Sequence, residues 1–471
     1  MKPKHDINRR DFLRTAIAGG SLAALAACKK KTGLNQTTSD APQGMASAQK
    51  TSGEMTYRVN PNTNDRVSIL GYGCMRFPTV PPSQEQPDGN NLDQEAINKL
   101  IDYAMAHGVN YYDTSPAYCK GFSEKATGIA LSRHPRDKYY IATKLSNFSP
   151  NQWSREASIN MFRNSLKELQ TDYVDYLLLH GIGMGGMDNL NSRYIDNGIL
   201  DFLVKEREAG HIRNLGFSYH GDVEVFDHLL KMQDNGEIHW DFAQIQMNYV
   251  DWTHADETNP RNTDASYLYD ELHRRGIPVV IMEPLLGGRL ANVNDHILSE
   301  FKRRRPEDSV ASWAFRFAGT PEGVLTVLSG MTYMEHLQDN LATYSPLEPC
   351  TQEELDMLEE SANILVKYPT VPCTDCKYCM PCPYGLDIPS IFAHYNKCIN
   401  EGNVPSSRKD PNYEKARKAF LVGYDRKVPK LRQANHCIGC GVCKAHCPQG
   451  IDIPRRMNQI DKVVEDLKQS I

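Results

Sequence analysis

Four polar residues close short apolar runs along the chain: Asp113 and Tyr118 in N-Y-Y-D-T-S-P-A-Y, Lys144 in I-A-T-K, and His180 in D-Y-L-L-L-H. Brought together, they suit acid–base chemistry at a carbonyl. A free phenol ionises near pH 10, too reluctantly to act alone near neutrality. A nearby ammonium favours the phenolate and eases proton donation, and a carboxylate keeps that ammonium charged and oriented. A histidine on a further strand end can hold the carbonyl oxygen between itself and the phenol. Such a site fits reduction of an aldehyde or ketone by hydride. The second reactive set is thiol. Of 13 Cys, eight stand in two tight groups between residues 373 and 447. A disulfide framework is not laid out that way, and the grouping points to metal.

These side chains need elements that gather them. Apolar runs recur at 67–70, 109–112, 139–143, 174–179, 213–217, 242–247, 278–282 and 324–328, each ending at a polar or Gly position. Helical periodicity fills 92–107, 154–169, 199–209, 223–230 and 265–275 between them. Eight strands alternating with helices over about 280 residues is what an α/β fold of the (β/α)8 TIM-barrel kind requires, with chemistry at the strand ends. An open doubly wound sheet is disfavoured, because Gly71-Tyr72-Gly73-Cys74 is not a G-x-G-x-x-G turn. Singly, Asp113 reads as a helix cap, Lys144 as a barrel-end ion pair and His180 as a packed strand end. Four such residues on successive strand ends read better as one site.

The segments G-V-N-Y-Y-D-T-S-P-A-Y, I-A-T-K, D-Y-L-L-L-H-G, N-L-G-F-S-Y-H and Q-I-Q-M-N-Y resemble, in this order and spacing, the aldo/keto reductase family over residues 56–345. The resemblance implies a barrel that uses NADP or NAD on a small carbonyl or alcohol, with catalytic roles on Asp113, Tyr118, Lys144 and His180. It implies that Ser218 and Gln244 hold the cofactor's carboxamide and that Met282 replaces the aromatic residue often stacked on the nicotinamide. Leu285, Gly330, His336 and Asn340 are expected along the rest of the cofactor, with Asn340 on the adenine. Two positions depart from the pattern. Tyr219 follows Ser218 where Asn is usual, and His336 stands where an Arg often meets the 2′-phosphate, so NADP and NAD both stay open.

Residues 373–383 read C-T-D-C-K-Y-C-M-P-C-P and 437–448 read C-I-G-C-G-V-C-K-A-H-C-P. The second is the ferredoxin run C-x₂-C-x₂-C-x₃-C-P, and the first is one residue shorter in its last gap. In two-cluster ferredoxins the fourth Cys of a run serves the other cluster. Carried over, Cys373, Cys376, Cys379 and Cys447 bind one 4Fe–4S cluster, and Cys437, Cys440, Cys443 and Cys382 bind the second. Both runs continue alike, as C-P-Y-G-L-D-I-P-S-I and C-P-Q-G-I-D-I-P-R-R. With helical stretches at 390–400 and 413–421, residues 371–471 resemble a mainly α-helical two-cluster ferredoxin-like domain, joined to the barrel by a connecting helix within 346–370. Zinc is the alternative for C-x₂-C pairs, and a single cluster is another. Cys74, Cys119, Cys350 and Cys398 lack such spacing and read as small buried residues.

At the N-terminus, N-R-R-D-F-L-R with Arg9 and Arg10, then an apolar run and L-A-A-C ending at Cys28, looks like a twin-arginine signal with a lipobox. The apolar run is shorter than the about 20 residues a membrane span needs. Residues 29–55 carry almost no large apolar side chain and are expected to be a flexible tether. These features place the protein in the cell envelope, exported folded, touching membrane only through a lipid on Cys28. A net charge of −5 supplies no basic excess for nucleic acid. Three readings compete. One is an NAD(P)H-linked carbonyl oxidoreductase with the clusters as relay or support. The second is an iron–sulfur electron-transfer protein, with a redox partner protein and a barrel for docking or sensing. The third, a non-catalytic barrel, is opposed by the intact four-residue set.

Overall fold

The structure, a computed structural model, describes residues 53–405 and 407–469. Arg9, Arg10, Cys28 and residues 29–52 lie outside the described residues. Strands β1 (Tyr57–Val59) and β2 (Arg66–Ser68) pair as an antiparallel hairpin. Eight parallel strands then close a barrel in chain order. They are β3 (Leu70–Gly73), β4 (Tyr111–Asp113), β5 (Tyr140–Leu145), β6 (Val174–Ile182), β7 (Ile212–Tyr219), β8 (Phe242–Gln246), β9 (Val279–Met282) and β10 (Val324–Ser329). β10 returns to pair with β3.

The hairpin closes the N-terminal end of the barrel. Val67 is buried with Tyr111, Tyr176 and Phe242, Asn60 Nδ2 donates to Tyr176 OH and Asn214 Oδ1, and Arg213 bridges Asp65 and Asp175. Residues 67–70, expected as the first barrel strand, therefore divide between two elements. The chain bends at Ile69, beside Ser68, whose hydroxyl donates to Leu70 O, and an apolar run does not reveal a bend inside it. The expected tether also ends sooner than residue 55. Gly53 N–H donates to Ser345 O, and Met55 is buried in the barrel core.

Helix caps follow local chemistry: Asp93 caps Gln94–Ala106 through Ala96 N–H, and Ser154 caps Arg155–Glu168 through Ala157 N–H. Helix Ser123–Leu131 lies outside the expected helical stretches, because most of its residues are buried and no polar face marks a period.

Helix Gln352–Leu365 belongs to the barrel's core through Leu355, Leu358 and Ala362, and a Thr351–Glu354 capping box starts it. Burial pushes the Glu354 carboxyl up, but Arg316, the Thr351 N–H and Arg305 outweigh it and hold it at about 2. A depressed carboxyl stabilises the fold above its ordinary 4.5 and loses that stabilisation as pH falls toward 2. The melting temperature should therefore drop through that window, and Glu354→Gln should flatten this acid limb. An unaltered acid limb in the variant would count against the clamp.

A second core gathers Phe392, Phe420, Tyr424, Met457 and Ile460 from helices Ile388–Asn400, Tyr413–Lys427 and Ile453–Gln469, with Val371 from the segment before them. Both cysteine runs pack against it. Their turns match: Asp375 and Lys377 take left-handed φ of 52° and 64° where the second run has Gly439 and Gly441 at 75° and 77°. The sequence repeat is thus a backbone repeat, with two non-glycine residues in conformations that favour glycine.

Candidate active site

Asp113 ends β4 and Lys144 lies in the neighbouring β5. Lys144 Nζ meets Asp113 Oδ2 at 2.5 Å and donates to Thr114 O at 3.0 Å, and both side chains are buried. The same Nζ stands 5.0 Å from the centroid of the Tyr118 ring. Burial pushes Asp113 up and Lys144 down, each opposed by its partner. Tyr118 departs from expectation. Burial, with Asp113 and Tyr378 adding, pushes its phenol well above the ordinary 10. The ammonium that was to lower it is matched by Asp113 and lies over the ring. The phenol therefore stays protonated, holding a proton to give.

Removing the Asp113 charge should test the pair. Asp113→Asn leaves a buried ammonium without its counter-charge, a loss of about 3–5 kcal/mol. Thermal melts of the two proteins measure it, and equal melting would show the pair to be structurally idle.

His180 lies inside β6 rather than at its end. Burial lowers its pKa well below 6.5, with Lys144, Arg193 and His220 adding, so the ring is neutral. Its Nδ1 is 2.6 Å from Ser146 Oγ, which is 2.8 Å from Ser115 Oγ. A Ser146 hydroxyl donating to Nδ1 leaves the ring proton on Nε2, free to donate to a substrate oxygen. Sequence reasoning missed both serines. Their only signal is position, each two residues beyond a strand-end Asp or Lys. The Tyr118 and His180 rings lie edge to face with centroids 6.0 Å apart. Phe148 stands 4.8 Å from His180, and Tyr378 stands 6.1 Å from Phe148.

A cleft of about 2060 Å³ opens over this group, lined by Tyr118, Phe148 and Arg193 of the barrel and by Cys376, Tyr378 and Cys447 of the cysteine-rich part. The two parts are fastened. Arg76 meets Asp375 at 2.9 Å and also donates to Thr374 O. Asn259 Nδ2 donates to Gln449 O at 2.7 Å, and Gln449 Nε2 to Gln246 Oε1 at 3.3 Å. The Thr374 side chain hydrogen-bonds the Glu283 carboxylate. Gly287 has a φ of +69°, and a Cβ there would come within 2.3 Å of Thr374 Cα, so this approach requires glycine. Cys119, expected buried, is only half-buried and lines the cleft, in a left-handed turn just after Tyr118.

Ser218 lies next to the end of β7, Gln244 at the middle of β8, and Met282 ends β9. Gln244 Nε2 donates to Met282 Sδ at 3.3 Å, while its Oε1 is buried with no partner. A buried orphan acceptor of this kind fits an amide NH₂, such as a nicotinamide carboxamide. Ser218 Oγ already accepts from Gly181 N–H at 2.9 Å. Beyond β10, Asn340 Nδ2 donates to Ser329 Oγ, the Arg76 side chain covers Gly330, and His336 packs on Tyr333. Leu285 is half-buried in the turn closed by Gly288 N–H on its carbonyl.

The cysteines divide into crossed sets. Burial raises the Cys373 and Cys379 thiols, and Cys376 and Cys447 add to both. Burial likewise raises Cys443, and there Cys382, Cys437 and Cys440 add. Each set thus takes three members from one run and one from the other. Among the described residues no three His, Cys, Asp or Glu converge closely enough for a single metal ion. Four thiolates around a cubane stand wider than around one ion, and all-cysteine sets of four suit iron–sulfur clusters.

A family model described as the aldo/keto reductase family matches residues 69–363, and one described as a 4Fe-4S dicluster domain matches residues 372–451. L-galactose dehydrogenase of Arabidopsis thaliana is 25% identical over 321 residues, which is 65% of this chain and 93% of that protein. Protein tas of Escherichia coli is 29% identical over 192 residues, 35% of this chain and 52% of that protein. Among solved structures, the aldo-keto reductase AKR11C1 from Bacillus halodurans in its holo form shares the fold. Its TM-score is 0.51 at 22% identity, over 65% of this chain and 96% of that one.

Proposed function

Since this chain belongs to the aldo/keto reductase family and is an oxidoreductase, we propose that it reduces a small carbonyl, or oxidises the alcohol, with NAD(P)(H) and two 4Fe–4S clusters. The observation that carries this reading is the neutral His180 edge-on to a protonated Tyr118 that lies over the Lys144–Asp113 pair. Bound nicotinamide supplies or takes hydride. Tyr118 donates its proton to the carbonyl oxygen, which His180 Nε2–H holds from the other side. Lys144 opposes the negative charge left on the phenol, and Asp113 keeps that ammonium oriented. Gln244 Oε1 would hold the carboxamide.

Cys373, Cys376, Cys379 and Cys447 would hold a cluster at the cleft, and Cys382, Cys437, Cys440 and Cys443 a second one further out. The fused module supports their use as an electron relay. Export by the twin-arginine route, with a lipid on Cys28, suits a protein that is moved already folded, with its cofactors inserted beforehand. A cleft roofed by the module suits a nicotinamide that is kept and recycled in place. Native mass spectrometry of anaerobically purified protein should find nicotinamide, iron and lipid together, and carbonyl substrates should bleach the nicotinamide absorbance. Cys28→Ala should release the protein from membranes. Iron-loaded protein that reduces no carbonyl would make electron transfer alone the function.

A further inference from the structure

Exposed apolar surface is concentrated around the outer cysteine set. Seven large apolar side chains stand exposed among the described residues, and four of them, Tyr384, Leu431, Ile438 and Val442, belong to the segments around Cys382, Cys437, Cys440 and Cys443. Ile438 and Val442 alternate with the cysteines themselves. Leu431 is 80% exposed. Hydrogen bonds tie these segments into one surface. Arg432 Nε donates to Gly385 O and Asp387 N–H to Arg432 O, both at 3.1 Å, and the His436 ring is 3.0 Å from Lys430 O. Cys440 is exposed where the other seven cysteines of the two sets are half-buried. The inner set faces the cleft through Cys376 and Cys447, and Arg432 and Lys444 stand where the cleft's lining meets this surface.

The rim of this surface is rich in basic residues, with Asp387, Asp425 and Asp461 beside them. From 426 to 444 the chain carries Arg426, Lys427, Lys430, Arg432 and Lys444 and no Asp or Glu, although the whole chain has a net charge of −5. All five are exposed, and of these five only Lys444 forms a salt bridge, with Asp452 at 3.3 Å. A basic rim around protruding apolar side chains fits an acidic protein surface with an apolar centre.

We propose that the face around Cys440 docks a small, acidic one-electron carrier protein, which exchanges electrons with the barrel site through the two cysteine-bound clusters. This rests on the cluster assignment above. One electron passes per encounter: the carrier is oxidised and the outer cluster reduced, or the reverse. Two encounters supply the pair of electrons that one carbonyl-to-alcohol reduction takes up with two protons. An anionic membrane would also meet basic and apolar residues, but the patch surrounds the ligands of a redox group, which lipid headgroups neither oxidise nor reduce.

The test uses iron-loaded protein and a reduced acidic bacterial ferredoxin as probe, with cluster reduction followed by stopped-flow absorbance. Leu431→Glu and Lys430→Glu should each slow reduction by ferredoxin about tenfold or more, and added salt should slow the wild type. Methyl viologen radical, which needs no docking face, should reduce all forms equally, and Val59→Glu at the far end of the barrel should behave as wild type. Equal ferredoxin rates in iron-loaded variants would overturn the docking face alone. Binding to anionic vesicles that the same variants lose, with ferredoxin rates unchanged, would assign the face to membrane instead. Wild type purified without iron would overturn the cluster assignment and this proposal with it.

Discussion

Tyr118→Phe should slow carbonyl turnover by roughly 10²–10⁴-fold, the usual worth of general acid catalysis, while nicotinamide binding stays nearly unchanged. The variant keeps the ring, so the edge contact to His180 and the position over Lys144 survive. Only the transferable proton is lost. Because burial holds the phenol well above 10, the wild-type rate should also show no loss from phenol ionisation up to that pH. Replacing His180 should raise the Michaelis constant as well as slow turnover, since its Nε2–H orients substrate. Full carbonyl reduction by Tyr118→Phe would show that the proton comes from elsewhere.

The crossed cysteine sets predict a pattern that no run-by-run arrangement reproduces. Wild type should carry about eight irons per chain, and any single ligand removed should leave about four. Pairs of substitutions separate the arrangements. Cys373→Ala with Cys447→Ala strikes one set, so about four irons should remain. Cys440→Ala with Cys447→Ala strikes both sets, so iron should be lost altogether, although both residues belong to the second run. If each run held its own cluster, the two results would exchange. Zinc in place of iron would replace the assignment outright.

The barrel was legible because its strands and amphipathic helices repeat a pattern that burial imposes. The pattern fails where burial is nearly complete or the chain bends within an apolar run, as at Ser123–Leu131 and at Ile69. In the candidate site, the apolar runs give Asp113, Lys144 and His180 directly, although His180 lies inside its strand. What spacing could not give was electrostatics. The expectation that Lys144 lowers the Tyr118 phenol leaves out the burial of both groups and the upward push that Asp113 itself exerts on the phenol. Ser115 and Ser146 stayed hidden because they act through His180, not through any motif. The fastening of Asp375 to Arg76 joins residues 299 apart, a contact that no local pattern encodes. In the cysteine runs, Gly439 and Gly441 announce left-handed turns, whereas Asp375 and Lys377 make the same turns unannounced.

Tyr378 sits between two cysteines of the first run and yet forms part of the wall facing Phe148 and Tyr118. A molecule entering the cleft therefore meets a surface contributed by both the barrel and the cysteine-rich part. Divergence in a cysteine loop would reshape what the barrel accepts, even with every barrel residue unchanged. Two descendants with identical barrels could part company in diet through this one tyrosine, and a barrel grafted without its partner would arrive with one side of its mouth missing.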